Sequence, residues 1–195
     1  HFIEIVELIK SKKENLKIAE IGVDKGATTK AILKIIGEGD QYDLFDVETC
    51  PFFKSGKIKT DAKIIIHSNT TRIFDSYAWE ISKLLINNYK NKEKQLLWDA
   101  VYLDGAHRFH VDAPTTAFLK EMINIEGYII FDDMNWTLGK SPTCNNEFNW
   151  NSFTKEQMEN SHVGLIVDAL VKYDNRFVEI ESDDKSRAIF KKISN

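Results

Sequence analysis

The 195-residue sequence is long enough for one α/β domain with a full hydrophobic core, and its composition of 43% hydrophobic and 29% charged residues excludes a disordered chain. The formal net charge of -4 argues against a general nucleic-acid-binding surface, and the sequence contains neither a membrane-spanning apolar run nor a signal-peptide pattern. Cys50 and Cys144 match no metal-ligand spacing, so we expect free thiols in a cytoplasmic protein, with a single disulfide between them as the alternative. These properties predict a protein without a nucleic-acid or membrane partner.

The first predicted elements surround a glycine-containing turn. An amphipathic helix is predicted over residues 2–13, and a short buried strand follows and ends at the turn. Gly22 and Gly26 bracket this turn, where the absence of a Cβ lets the backbone bend and a ligand approach closely. Thr28 and Thr29 stand near the start of the next predicted helix, which runs to about residue 36. A strand, a glycine turn and a helix N-terminus together form a pocket with inward-pointing N–H donors.

The spacing of this turn separates two kinds of nucleotide-binding motif. A dinucleotide fingerprint requires G-x-G-x-x-G after the strand. With Gly22 as the middle glycine, the outer positions are Glu20 and Lys25, so the fingerprint is not met. The chain instead reads E-x-G-x-x-x-G from Glu20 to Gly26, which resembles the first motif of class I methyltransferases that use S-adenosylmethionine (SAM). The alternative is a glycine turn in another kind of α/β unit.

Polar residues follow the next two predicted strands. The second strand is predicted over residues 41–48, and its end presents Asp46, twenty residues after the second glycine of the turn. A carboxylate at this position can accept hydrogen bonds from both ribose hydroxyls of a nucleoside, whereas the alternative is a carboxylate that caps a turn. The third strand is predicted over residues 63–67, and Ser68 and Asn69 follow it as caps of the next helix or as cofactor contacts.

The rest of the chain alternates between helical and extended patterns. Further helices are predicted over 73–89, 111–124 and 153–173, and further strands over 97–104, 126–133, 176–181 and 187–193. Residues 134–151 show little periodicity and several aromatic side chains, which predicts a lid or substrate loop. The alternation predicts one Rossmann-like, doubly wound α/β domain over residues 1–195, with a mostly parallel seven-stranded sheet and a C-terminal antiparallel hairpin.

Three carboxylates stand at the ends of two predicted strands. Asp104 ends the fourth strand, and Asp132 and Asp133 end the fifth. Ligands of an open α/β sheet bind beyond the carboxyl ends of the strands, so these side chains meet if their strands are neighbours. Three ionised carboxylates repel one another, and either a proton or a hard cation such as Mg²⁺, Ca²⁺ or Mn²⁺ relieves that repulsion. The alternative is that the side chains point apart and cap separate turns.

The segments that carry these carboxylates resemble a methyltransferase family. Residues 99–107 read D-A-V-Y-L-D-G-A-H and residues 127–133 read G-Y-I-I-F-D-D. They are similar to the D-x-[VI]-[YF]-[IL]-D-G-x-H and G-G-x-[IV]-x-x-D-D pair of class I methyltransferases of family 24, which are related to macrolide-sugar and catechol O-methyltransferases. The resemblance covers about residues 16–133. It implies SAM as the cofactor, Mg²⁺ held by Asp104, Asp132 and Asp133, and cofactor contacts from Glu20, Gly22, Gly26, Thr28, Asp46, Ser68, Asn69 and Asp104.

Two positions depart from the motif pair. Glu126 replaces the first glycine of the second motif, and Ala106 stands where some sugar methyltransferases place a catalytic Asp. His107 is therefore the candidate base, since a neutral imidazole can remove a proton near pH 7, and Asp104 is the second catalytic candidate. The alternatives for His107 are a cap for the following helix or a partner for Asp104 alone.

These observations predict a SAM-dependent O-methyltransferase that acts on a small-molecule hydroxyl, such as that of a sugar or a secondary metabolite, with help from a divalent metal. A metal-independent methyltransferase and a non-catalytic nucleotide-binding module are the alternatives. A nicotinamide oxidoreductase would have to accommodate Glu20 and Lys25 in place of fingerprint glycines. The oligomeric state is open, and a homo-oligomer is one option.

Overall fold

The computed structural model describes residues 1–56, 58–69, 77–92, 95–141 and 153–195. Its strands are β1 (Lys17–Ile21), β2 (Gln41–Val47), β3 (Lys63–Asn69), β4 (Trp98–Leu103), β5 (Ile123–Phe131), β6 (Phe177–Ile180) and β7 (Ala188–Lys192). Its helices are α1 (Phe2–Lys10), α2 (Ala27–Ile32), α3 (Pro51–Lys54), α4 (Tyr77–Lys90), α5 (Phe109–Met122), α6 (Lys155–Glu159) and α7 (His162–Leu170). In this part of the chain, no helix is both long enough and apolar enough to cross a membrane.

The seven strands form one sheet in the order β3-β2-β1-β4-β5-β7-β6. Strands β3, β2, β1, β4 and β5 pair in parallel, whereas β7 pairs antiparallel with both β5 and β6. The predicted Rossmann-like sheet with a C-terminal antiparallel hairpin is confirmed. Because β1 lies between β2 and β4, the strand order reverses beside it, and a crevice opens there at the carboxyl ends of the strands.

Both faces of the sheet are covered, as parallel strands with apolar side chains on both sides require. One face packs against α4, α5 and α7, and its largest fully buried side chains are Trp98, Phe45 and Phe131. The other face packs against α1, α2 and α3, which contribute Phe2 and Phe52 among others. With both faces packed against helices, the carboxyl ends of the parallel strands stay open to a ligand.

The C-terminal helical region differs from its prediction. One continuous helix over residues 153–173 is wrong, because α6 and α7 are separate helices with separate N-terminal caps. Thr154 starts α6 with a reciprocal capping box, and Ser161 starts α7 by accepting the Gly164 N–H at 3.0 Å. Two capping residues so close in sequence begin two helices, although the apolar spacing continues across the break.

Candidate functional site

A cavity of about 1030 Å³ opens beyond the carboxyl ends of β1, β2 and β4. It lies beside β1, where the strand order reverses. Its volume is in the range of sites that hold whole cofactors or small ligands. The walls come from the glycine turn, the end of β2 and the segment after β4, and they include Glu20, Gly22, Thr28, Asp46, Asp104, His107 and Arg108. Most of the residues predicted to contact a cofactor therefore line one cavity.

The two glycines of the turn are required by close packing. Gly22 has a φ of 90°, and a Cβ added to it would lie 1.8 Å from the Asp104 carbonyl oxygen. Gly26 has a φ of 70°, and its Cβ would lie 2.3 Å from the Phe52 ring. The Asp104 N–H also donates to the Ile21 carbonyl at 2.9 Å, which ties the end of β1 to the end of β4. The glycine turn and Asp104 are thus held in direct contact.

Glu20 forms part of the cavity floor and is 2% exposed. Its carboxylate accepts a hydrogen bond from Thr29 Oγ1 at 2.7 Å and another from the Tyr42 hydroxyl. Burial raises the pKa of Glu20 to about 7, and these two donors keep the pKa from rising further. The side chain therefore binds its own neighbours, and its predicted contact with a cofactor stays a prediction.

Asp46 closes the glycine turn from the side of β2. One of its carboxylate oxygens accepts the N–H groups of Val23 and Asp24, both at 2.8 Å, and the other accepts the Val47 N–H at 2.6 Å. This is the turn-capping geometry that the sequence left open as the alternative to ribose binding. Since each carboxylate oxygen has two lone pairs, Asp46 keeps capacity for one further donor from the cavity that it lines.

The end of β3 lies one strand farther from the cavity. The strand continues to Asn69, beyond its predicted end, so that Ser68 pairs with Asp46 and Asn69 pairs with Val47. The Ser68 side chain is exposed, and among the described residues it is not part of the cavity wall. The predicted helix start near residue 73 falls outside the described residues, and α4 is described from Tyr77.

An imidazole and two carboxylates meet at the ends of β4 and β5, where His107 and Asp104 line the cavity and Asp133 lies next to them. His107 Nε2 lies 3.2 Å from Asp104 Oδ1 and 3.5 Å from Asp133 Oδ2. One ligand atom from each of the three residues lies within 4.8 Å of the others. The two Asp residues converge because β4 and β5 are parallel neighbours whose ends are in register. We call these three residues the acidic cluster.

Backbone strain is concentrated around the cavity. Five non-glycine residues in the described part of the chain have positive φ, and three of them are Asp24 in the turn and His107 and Asp133 in the acidic cluster. Such conformations cost free energy for residues with a Cβ and persist only where the surroundings hold them. Their location is typical of a functional site.

The charges in the acidic cluster act on the proton affinity of His107. Burial lowers the pKa of His107, but the hydrogen bond with Asp104 and the charges of Asp104 and Asp133 outweigh burial and leave the pKa raised. The pKa of Asp133 is raised overall, because burial and the charges of Asp132 and Asp104 outweigh the lowering effect of His107. A proton on His107 is thus one way to relieve the repulsion between the carboxylates, and a bound cation is the other.

Asp132, the third predicted metal ligand, is directed toward other partners. Its carboxylate accepts Arg187 Nε at 3.0 Å and the Tyr102 hydroxyl, and its side chain is only 13% exposed. The structure therefore brings together Asp104 and Asp133, adds His107, and holds Asp132 beside them. Arg187 was not predicted as a partner of Asp132 from the sequence. It reaches Asp132 because Ala188 of β7 pairs with Phe131 of β5, which places Arg187 opposite Asp132.

Trp136 lies against the acidic cluster. Its ring centroid is 5.2 Å from that of His107, with the planes inclined by 48°, and the backbone N–H of Trp136 donates to the Asp133 carbonyl at 2.9 Å. It belongs to the predicted lid over residues 134–151, which the structure describes as far as residue 141. Leu138 and Ser141 are buried, so this first part of the segment packs against the domain. The remainder of the predicted lid lies outside the described residues.

Comparison with protein-family models gave no match, and comparison with curated proteins gave none either. Among solved structures, the MycE methyltransferase from the mycinamycin biosynthetic pathway, in complex with Mg and SAH, has a TM-score of 0.60 at 16% identity, over 98% of this chain and 48% of MycE. The SAH-bound Podospora anserina methyltransferase PaMTH1 has a TM-score of 0.59 at 13% identity, over 97% of this chain and 76% of that chain. The chain has the fold of class I methyltransferases. An O-methyltransferase from Bacillus cereus in complex with SAH has a TM-score of 0.58 at 11% identity, over 97% and 80% of the two chains.

The class I methyltransferase fold agrees with the fold implied by the motif resemblance. This chain spans about half the length of MycE and more than three quarters of the Bacillus cereus protein. The class I methyltransferase fold also explains why the glycine turn, Asp46 and Asp104 lie around one cavity, because all three follow strands that end at the same edge of the sheet.

Proposed function

We propose that this chain is a SAM-dependent O-methyltransferase that acts on a hydroxyl group of a small molecule with help from a divalent metal. One observation carries the proposal: Asp104 and His107 belong both to the acidic cluster and to the wall of the cavity that the glycine turn encloses. A cofactor-sized cavity and a proton-accepting cluster thus adjoin. In the same proposal, residues 1–195 form a single methyltransferase domain.

The glycine turn and Asp46 would hold the methyl donor. SAM supplies a methyl group on a sulfonium that is already activated toward nucleophiles. Asp46 is fixed by the backbone of the turn and retains one lone pair for a ribose hydroxyl, while Thr28 and the glycine turn line the same wall. Glu20 supports the floor, and Ser68 and Asn69 stay the predicted contacts on the adenine side.

The donor set of the acidic cluster fits a divalent cation. Asp104 and Asp133 would hold the ion through hard carboxylate oxygens, which suit Mg²⁺ and Mn²⁺, and the His107 imidazole lies beside them as the proton acceptor rather than as a ligand. When bound, such an ion lowers the pKa of an acceptor hydroxyl. Asp132 forms an ion pair with Arg187 next to the acidic cluster. It would become a ligand of the ion only by giving up that ion pair.

His107 would take the proton that the acceptor hydroxyl loses. Asp104 and Asp133 orient its imidazole, and Trp136 covers one side of the ring and keeps water from it. The segment 134–151 would form the lid or acceptor wall, of which Trp136 is the described aromatic member. Because the methyl group of the donor is already activated, the main contribution of the protein to the rate is to align the methyl group with the acceptor hydroxyl and His107.

A small-molecule acceptor is favoured over a nucleic acid by the net charge of -4 and by the acidic cluster at the reacting end of the cavity. One solved structure of the MycE methyltransferase contains mycinamycin VI together with Mg and SAH. By analogy, we propose a hydroxylated sugar or secondary metabolite as the acceptor.

Methyl transfer from radiolabelled SAM to a panel of polyols, glycosides, catechols and RNA tests the proposal. We expect labelled product from a small hydroxylated compound, loss of that product with excess chelator, and recovery with added Mg²⁺ or Mn²⁺. Transfer that is unchanged in excess chelator removes the metal from the mechanism. Label in RNA alone contradicts the proposed acceptor class.

Calorimetric titration with Mn²⁺ assigns the ligands independently of turnover. We expect Asp133→Asn to weaken Mn²⁺ binding by about 10-fold or more, and Asp132→Asn to change it by less than about threefold, because only Asp133 reaches the acidic cluster. The exposed residue Asp183 supplies the matched control, Asp183→Asn, which should bind Mn²⁺ like the wild type. Stronger loss in the Asp132 variant would restore the three-carboxylate site predicted from the sequence.

A further inference from the structure

Asp112 is a buried carboxylate directly behind the segment that carries the catalytic candidates. It lies in the first turn of α5 and is 2% exposed. Its Oδ2 accepts the Arg108 N–H at 3.1 Å, and its own N–H donates to the Arg108 carbonyl at 2.9 Å. Burial raises the pKa of Asp112 to about 6, while the charge of His107 and the hydrogen bond from the Arg108 N–H hold it from rising further. The carboxylate thus ties the backbone directly after His107 to the start of α5.

Gly105 allows this carboxylate to lie directly beneath the chain. A Cβ added to Gly105 would be 2.7 Å from Asp112 Oδ1. The same Oδ1 is buried and has no hydrogen-bond partner among the described residues. A buried acceptor without a hydrogen-bond partner costs free energy. Since Oδ1 incurs this cost, the position of Asp112 is better explained by the hydrogen bond that Oδ2 accepts from the Arg108 N–H.

His107 needs such support because its backbone is in the left-handed region, with a φ of 54°. A residue with a Cβ stays in this conformation only where several contacts enforce it. The Trp136 ring lies against the imidazole, and Asp104 and Asp133 contact its Nε2, but these contacts all act on the side chain. Asp112 acts on the backbone, because it accepts the Arg108 N–H directly after His107 and packs against Gly105 before it, and the side-chain contacts leave this backbone unconstrained.

We propose that Asp112 is a positioning residue that holds residues 104–108 in the conformation that places the His107 imidazole between Asp104 and Asp133. The proposal rests on the proposed function, in which His107 accepts the proton of the acceptor hydroxyl. Asp112 touches neither the acceptor nor the methyl donor, and it acts through His107. Removing it should therefore impair turnover and leave the binding of SAM intact.

The kinetic test compares Asp112→Ala with Asp112→Asn and Thr116→Val. D112A removes the acceptor for the Arg108 N–H, and we expect kcat to fall about 10- to 100-fold with the KM for SAM within about threefold. D112N keeps an oxygen that can accept that N–H, and we expect kcat within about threefold of the wild type. T116V is the control, because the buried Thr116 Oγ1, one helical turn along α5, also has no partner among the described residues; its kcat should be unchanged. Wild-type kcat in D112A, or equal losses in D112A and D112N, overturns the proposal.

A measurement on the imidazole separates this proposal from the proposed function. The ¹H–¹⁵N signals of the His107 ring, assigned by their loss in His107→Gln, should move in D112A and stay in place in D112N and T116V. Unmoved signals in D112A overturn the positioning role even if the enzyme is active. Moved signals in a protein that methylates no acceptor support the positioning role and refute the proposed function. If D112A does not fold, Gly105→Ala takes its place, because the new Cβ displaces Oδ1 without removing the carboxylate.

Discussion

The half of the candidate site formed by β1 and β2 is held by hydrogen-bonded backbone groups, whereas the half formed by the ends of β4 and β5 concentrates charge. In the first half, Asp46 accepts the N–H groups of Val23 and Asp24 and fixes the turn. In the second half, one ligand atom each from Asp104, Asp133 and His107 lies within 4.8 Å of the others, and two of the three residues have strained backbones. In the proposed function, the first half presents a fixed shape to the methyl donor and the second half takes part in the chemistry. The predictions below test this division.

The largest effect on the rate of methyl transfer is expected from Asp133→Asn in the β4–β5 half. The substitution removes one of the two carboxylates that orient His107, so we expect the rate of methyl transfer to fall about 100-fold or more. The dissociation constant for SAH should stay within about threefold, since Asp133 is outside the β1–β2 half. Equal losses of rate and SAH affinity would show that the two halves are not separable.

Gly22→Ala should destabilise the domain by about 3 kcal/mol or more, because its Cβ meets the Asp104 carbonyl oxygen at 1.8 Å and its φ is 90°. The matched control is Gly56→Ala, since Gly56 has a φ of 61° and nothing within 4 Å of an added Cβ. It carries only the conformational cost, about 1–2 kcal/mol. Urea denaturation measures both variants, and equal losses would mean that the contact between the turn and Asp104 contributes nothing.

Asp46→Asn should weaken SAH binding by about 10-fold, because the amide loses charge-assisted acceptance from both the turn and the ribose. Calorimetric titration with SAH measures this change. Mn²⁺ affinity at the acidic cluster should be unaltered in the same variant. An unchanged SAH affinity would leave Asp46 with the turn-capping role alone.

The effect of Glu20 on stability appears only as the pH changes. Its pKa in the folded protein is about 7, above the ordinary value of 4.5, so the folded state binds this proton more tightly than the unfolded state. The contribution of Glu20 to the free energy of unfolding is therefore largest below pH 4.5, falls as the pH rises to about 7, and is constant above that. The glutamine side chain of the Glu20→Gln variant does not ionise, so its contribution to the free energy of unfolding does not change with pH. The stability of this variant relative to the wild type should rise by about 2 kcal/mol between pH 5 and pH 8, measured by urea denaturation without ligand. A constant difference across this range would show that Glu20 does not titrate there.

The sequence was sufficient to predict the order of strands and helices in the sheet and the convergence of one pair of site residues, Asp104 and Asp133. Alternating apolar strands and helices predicted the strand-end positions of Asp46, Asp104 and Asp133, because the ends of parallel strands share one edge. The convergence of Asp104 with Asp133 then followed from the pairing of β4 with β5.

The remaining features depend on contacts that a local pattern does not encode. The partner of Asp132 is Arg187, 55 residues away, and it arrives through the antiparallel register of β7. The left-handed backbone of His107 and the support from Asp112 arise from packing at the start of α5, where no glycine or turn signal marks the position of His107. Adjacent carboxylates in a sequence can therefore have different partners, as Asp132 and Asp133 do.

Calorimetric titration of the wild-type chain with SAH tests the central claim most directly, with NADH as the competing ligand. We expect one SAH bound per chain and no heat from NADH, because the turn carries Glu20 and Lys25 where a dinucleotide fingerprint needs glycines. Absence of SAH binding, or binding of NADH in its place, would contradict the assignment of this cavity to a sulfonium nucleoside.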